Sequence, residues 1–212
     1  MNPIKTLTEI TELLPRLTGW CSERKALALA ISVYANRPLV GVEIGVWAGR
    51  SLFPVAMAMR DLGKGIIHAV DPWSPNASVE GYDKANADWW GSKANHDVAY
   101  KQFLSAVVST GTTAHIEVHR CKSDAFDPPN EIDYLHVDGQ HTEQAIKDVK
   151  RFAAKVRIGG LVFMDDIHWF LDGEQKRFEV LKAVDELTEI GFKMLYTLEG
   201  GTDDGAMFQR IK

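Results

Sequence analysis

The chain has 212 residues, 45% apolar and 25% charged, with a net charge of −5. That length and balance support one domain with a sizeable core. They exclude a disordered polar chain, and a net negative charge without a basic run excludes general attraction to nucleic acid or anionic membrane. Apolar runs fall short of the ~20 residues of a membrane span, and the polar start (Pro3, Lys5, Thr6, Glu9) is unlike a signal peptide. Cys21 and Cys121 fit no metal or redox spacing, so two reduced thiols in a cytoplasmic protein are expected.

Residues 1–36 read as two helices. Leu7, Ile10, Leu13 and Leu14 recur at helical spacing, and Ser22 can cap a second helix over Glu23–Tyr34. Trp20 and Tyr34 read as core. Leu39 to Ile44 is a buried strand, followed by a glycine turn (Gly45 to Gly49) and a helix from Ser51 to Leu62. The glycines let the backbone turn sharply and approach a ligand, and the helix start offers unpaired N–H groups to the same space. Glu43, at the strand end, could accept from a ligand ammonium. Ile66–Val70 is the second strand, ending at Asp71, where a carboxylate can accept from both hydroxyls of a ribose.

Residues 72–95 hold Trp73, Tyr82, Trp89 and Trp90 among Gly, Ser, Asn and Asp with little periodicity. A long aperiodic stretch in a compact domain points to a lid or substrate segment, with Trp73 and its neighbours over an adenine. A helix follows over His96–Val108, with Val98, Phe103, Leu104, Val107 and Val108 inward, then a strand over Thr112–His119 and the polar pair Ser123 and Asp124. Ile132–Val137 is the fourth strand, ending in Asp138-Gly-Gln-His141. An amphipathic helix covers His141–Val156, and the fifth strand, Leu161–Met164, ends in Asp165-Asp166. A helix over Gln175–Glu189 and two strands, Phe192–Leu198 and Ala206–Ile211, close the chain. The alternation predicts a single α/β domain over 1–212. Its expected form is a Rossmann-like, doubly wound, seven-stranded and mostly parallel sheet with a C-terminal antiparallel hairpin.

Ligands in such sheets bind at the carboxyl ends of the strands, where Glu43, Asp71, Asp138, Asp165 and Asp166 all fall. Neighbouring strands lie ~5 Å apart, so Asp138 should meet Asp165 and Asp166. Carboxylates that close repel unless neutralised, which an oxygen-ligated cation such as Mg²⁺ does. His141, three residues past Asp138, could take a proton from a metal-bound hydroxyl.

Glu43-Ile-Gly45-Val-Trp-Ala-Gly49 resembles the E/D-x-G-x-x-x-G loop of class I S-adenosylmethionine-dependent methyltransferases. The run Ile132-Asp-Tyr-Leu-His-Val-Asp-Gly-Gln-His141, with Gly159-Gly-Leu-Val-Phe-Met-Asp-Asp166 downstream, resembles small-molecule O-methyltransferases related to macrocin O-methyltransferase and cephalosporin-hydroxylase-type proteins. The resemblance implies that Asp138, Asp165 and Asp166 hold Mg²⁺ and that His141 is the general base. Glu43, Gly45, Gly49, Ser51, Asp71, Trp73, Ser123, Asp124 and Asp138 are the expected contacts of S-adenosylmethionine. The expected partner is a small-molecule hydroxyl acceptor, with the N-terminal helices a candidate surface for a homo-oligomer. Two other classes stay open: a nucleoside sensor without turnover, and an oxygenase in which His168 joins the acids on iron.

Overall fold

The computed structural model describes residues 1–170 and 178–212. Helix α1 (Pro3–Leu13) starts under Asn2, whose side chain accepts from Lys5 N–H, and α2 (Glu23–Asn36) starts under Ser22 in the same way. Strand β1 (Val40–Ile44) leads through the glycine turn into α3 (Leu52–Leu62), which is apolar almost all round because α1, α2 and the sheet all cover it. Strand β2 (Ile66–Val70), short helices α4 (Pro75–Ser78) and α5 (Lys84–Asp88), helix α6 (His96–Ser109) and strand β3 (Ile116–His119) follow. Then come β4 (Ile132–Val137), α7 (Glu143–Phe152), β5 (Val156–Asp165), α8 (Glu179–Ile190), β6 (Phe192–Leu198) and β7 (Gly205–Arg210).

The strands form one sheet in the order β3-β2-β1-β4-β5-β7-β6, parallel except where β7 runs antiparallel to both of its neighbours. Alternate residues face opposite layers. Tyr134 and Phe163 pack with α1, α2, α3 and α6, whereas Val42, Leu135 and Val162 pack with α7 and α8. The strand order reverses between β1 and β4, which opens a crevice at their carboxyl ends.

Several boundaries differ from the sequence reading. Residues 72–95 are not without structure: they hold α4, α5 and a wide turn in which Ala94 N–H reaches the Trp89 carbonyl at 2.9 Å. Strand β3 begins at Ile116, after a 3₁₀ turn, and α7 begins at Glu143 because Thr142 Oγ1 accepts from Gln144 N–H. Strand β5 starts at Val156, earlier than expected, and an irregularity in its pairing with β4 absorbs Gly159 and Gly160. Val98, Leu104 and Val108 on α6 are exposed, since only the Phe103–Val107 face meets the core. The first turn of the helix expected at Gln175 lies outside the described residues. Both cysteines are free thiols, and no described helix is long and apolar enough to cross a membrane.

Candidate active site

A cavity of about 610 Å³ opens at the carboxyl ends of β1, β2, β4 and β5. Gly45 (φ +83°) starts the turn above β1, and a Cβ there would lie 1.9 Å from the Asp138 carbonyl oxygen, so only glycine fits. The turn is held by Asp71. Its Oδ2 accepts from Val46 and Trp47 N–H, both at 2.9 Å, and Oδ1 accepts from Trp73 N–H at 2.6 Å. Burial raises the Asp71 carboxyl above its ordinary pKa, against the pull of these donors.

Across the cavity, Asp138 ends β4 and Asp165 ends β5, with Asp166 in the left-handed region at φ +52°. Asp138, His141 and Asp166 each offer a ligand atom within 4.8 Å of the others. His141 Nε2 lies 3.2 Å from Asp166 Oδ2, yet it is buried without a hydrogen-bond partner among the described residues. Its Nδ1 lies 3.3 Å from Tyr82 Oη, which also accepts from His141 N–H, and its ring packs 4.7 Å from that of Trp169. Burial and then the charge of Asp165 push the Asp138 carboxyl well up.

Asp165 is differently placed. Oδ1 accepts from Lys25 Nζ at 2.5 Å and from Asp166 N–H at 3.0 Å, and Oδ2 faces His136 Nε2 at 3.4 Å. His136 Nδ1 lies 3.2 Å from Glu43 Oε2, so this imidazole sits between two carboxylates. Burial alone would lower its pKa; the charge of Glu43 and the contacts with Asp165 reverse that and push it up to about 10. A buried chain of alternating charge, Lys25–Asp165–His136–Glu43, thus runs beneath the cavity.

Residues 42–167 match the family model described as a methyltransferase domain. The chain belongs to that family. Three solved structures share its fold. The O-methyltransferase TomG from Streptomyces achromogenes, in complex with SAM, is 14% identical at TM-score 0.62, over 98% of this chain and 89% of its own. The O-methyltransferase from Bacillus cereus, in complex with SAH, is 14% identical at TM-score 0.61, over 98% and 91%. The O-methyltransferase NovP is 19% identical at TM-score 0.65, over 89% and 79%. No curated protein matches the chain in sequence.

In this methyltransferase, Gly45, Ser51, Asp71, Ser123, Asp124, Asp138, His141, Asp165 and Asp166 all border the cavity. Gly49 turns just behind it, where a Cβ would meet the Phe53 ring at 2.6 Å. Two expected cofactor contacts face elsewhere. Glu43 is fully buried and accepts from Ser51 Oγ at 2.8 Å. Trp73, 1% exposed, stacks on Phe103 and donates its indole N–H to the Trp47 carbonyl at 2.7 Å. Conversely, Trp20 is not core. It is 51% exposed at the cavity mouth, within 5.2–6.1 Å of the Trp47, Trp89 and Trp90 rings. His168 Nδ1 pairs with Asp204 Oδ1 at 2.7 Å and belongs to no cluster of possible metal ligands among the described residues.

Sequence reasoning missed Lys25, His136 and Gln144, and named Tyr82 only as part of the 72–95 segment, not as the partner of His141. Gln144 Nε2 donates to Asp124 and Asp148, both at 2.9 Å, and fixes the turn that carries Ser123. Lys25 did leave a signal: it is the one ionisable residue among the buried positions of α2.

For a divalent cation the expected trio divides. Asp138 and Asp166 face the cavity beside the orphaned His141 Nε2, a donor set that fits a cation. Asp165 already carries the Lys25 ammonium.

Proposed function

We propose that this methyltransferase moves the methyl group of S-adenosylmethionine to a hydroxyl oxygen of a small molecule such as a sugar or a catechol. The observation that carries the reading is His141 Nε2, buried without a hydrogen bond among the described residues, 3.2 Å from Asp166 Oδ2 and in the same cavity as the glycine turn and Asp71. TomG and the B. cereus enzyme hold SAM and SAH, which supports the same cofactor here.

Gly45 and Gly49 shape the turn, and Asp71, which borders the cavity, would accept from ribose hydroxyls with the lone pairs its backbone donors leave free. Ser51, Ser123, Asp124 and Asp138 complete the cofactor's surroundings. Glu43 and Trp73 act one step back, through Ser51 and Trp47. When bound, S-adenosylmethionine supplies an electrophilic methyl group on a cationic sulfur that leaves as a neutral thioether. His141 takes the acceptor's proton. If Nδ1 keeps its hydrogen and donates it to Tyr82 Oη, Nε2 carries the lone pair that takes the proton, and Asp166 Oδ2, 3.2 Å away, accepts from the Nε2–H that results. Asp138 and Asp166 favour both the imidazolium that results and the cationic cofactor. Trp20, Trp47, Trp89 and Trp90, packed edge to face, border the cavity with aromatic surface for an aromatic or sugar ring and exclude water.

A cation such as Mg²⁺ would be held by Asp138 and Asp166, with Asp165 joining only if Lys25 withdraws. Bound there, it would lower the pKa of a coordinated acceptor hydroxyl.

Calorimetric titration of S-adenosylmethionine into the protein, with Mg²⁺ and again with chelator, tests the reading. Saturable binding is expected in both conditions, and its absence in both would overturn the cofactor assignment. His141→Ala should keep that affinity while turnover on a hydroxyl panel falls ~10²–10⁴-fold. Wild-type turnover at every pH would remove His141 as the base.

A further inference from the structure

A second cluster of ligating side chains lies outside the cavity, on the edge of the sheet. Strands β2 and β3 pair so that His68 stands opposite Glu117 and Val70 opposite His119. Side chains two apart on a strand share a face, so His68, Glu117 and His119 project together. His68 Nδ1 lies 3.0 Å from His119 Nε2 and 3.5 Å from Glu117 Oε2. Phe126 packs against both imidazoles, with ring centroids 5.7 Å from His68 and 4.4 Å from His119, and so limits their rotation.

We propose that His68, Glu117 and His119 bind a Zn²⁺-class transition-metal ion. Zinc takes imidazole nitrogen and carboxylate oxygen at ~2.0–2.2 Å in a tetrahedron, which sets its ligand atoms roughly 3.3–3.5 Å apart. The two separations above bracket that spacing with little movement. Two imidazoles and one carboxylate favour Zn²⁺ over Mg²⁺, which prefers oxygen alone. Glu117 is largely exposed, which leaves a side open for a water as fourth ligand.

The proton balance is simple. One of the two facing nitrogens now carries the hydrogen shared between the rings. Binding requires that ring to move its hydrogen to its other nitrogen, so that both facing nitrogens offer lone pairs and no net proton is released.

The site also has a route to the cavity. The His119 carbonyl accepts from Asp71 N–H at 3.2 Å, so a metal that pins β3 to β2 steadies the residue that holds the glycine turn.

The test uses the full chain, stripped with chelator, in excess Mg²⁺ to fill the carboxylate cluster. Zn²⁺ should bind at one equivalent, and Co²⁺ should give the intense visible absorption of a tetrahedral ion. His119→Ala and His68→Ala should each weaken Zn²⁺ binding at least about tenfold. Asp138→Asn, in the other cluster, should leave it unchanged. Absence of saturable Zn²⁺ binding, or wild-type affinity in either histidine variant, would overturn the proposal. If those variants fail to fold, carbethoxylation of the wild-type histidines decides: Zn²⁺ should protect His68 and His119 selectively, and equal labelling with and without Zn²⁺ would refute the site.

Discussion

Lys25 Nζ lies 2.5 Å from Asp165 Oδ1, and the two side chains are 1% and 3% exposed. A lysine from the second helix therefore neutralises the carboxylate at the end of the fifth strand. Burial opposes its charge, and the carboxylates of Asp165 and Asp138 more than restore it, so its pKa is raised. Removing one partner of a buried pair leaves an uncompensated charge, which costs ~3–5 kcal/mol. Lys25→Met should lose stability of that order in denaturant unfolding. Mg²⁺ or Mn²⁺ should then recover more stability in the variant than in the wild type, because the freed Asp165 joins Asp138 and Asp166. An unchanged midpoint, or no cation effect in the variant, would show that Lys25 does not stand in for the ion.

Asp71 satisfies three backbone N–H groups with one carboxylate. In Asp71→Ala those donors lose their partner, at a cost of about 2–4 kcal/mol. The glycine turn loosens and S-adenosylmethionine affinity should fall more than about tenfold. Asp71→Asn keeps one acceptor oxygen and should fall between. Calorimetry across the three proteins checks the order. Equal affinity in Asp71→Ala would mean that the turn holds its shape without the carboxylate.

Asp148 on α7 borders the same cavity. Burial pushes its carboxyl up to about 6, against hydrogen bonds from Ser123 and Gln144. The folded chain thus holds this proton more tightly than the unfolded one. The stability it contributes is fully present below the unfolded value near 3.8 and is lost as pH rises through about 6. Asp148→Asn should accordingly raise stability by about 1–2 kcal/mol at neutral pH, with the gain fading toward pH ~4. Unfolding midpoints measured across that range decide it, and a gain independent of pH would point to another cause.

The alternation of strands and helices, the glycine turn and the acids at the strand ends were legible because each rests on local chemistry: period, backbone freedom and chain direction. What was not legible depends on which way a side chain turns once helices pack. Trp73 adopts φ +42°, which turns its ring toward Phe103, whereas Trp20 stands in a connecting segment at the cavity mouth. Glu43 and Ile44 are adjacent on one strand and so face opposite layers. Glu43 goes to His136 and Ser51, while Ile44 borders the cavity. A lysine in a helix ordinarily reads as solvated, and only the docking of α2 over the carboxyl ends of the sheet reveals where Lys25 goes.

The alternating chain of charge beneath the cavity also bears on folding autonomy. The segment that matches the family model, residues 42–167, contains Glu43, His136 and Asp165 but not Lys25. It also omits β7, whose pairing covers the outer edge of β5. Expressed alone, that segment would carry an unneutralised carboxylate in its interior and an open strand edge, so it is expected to be far less stable than the full chain.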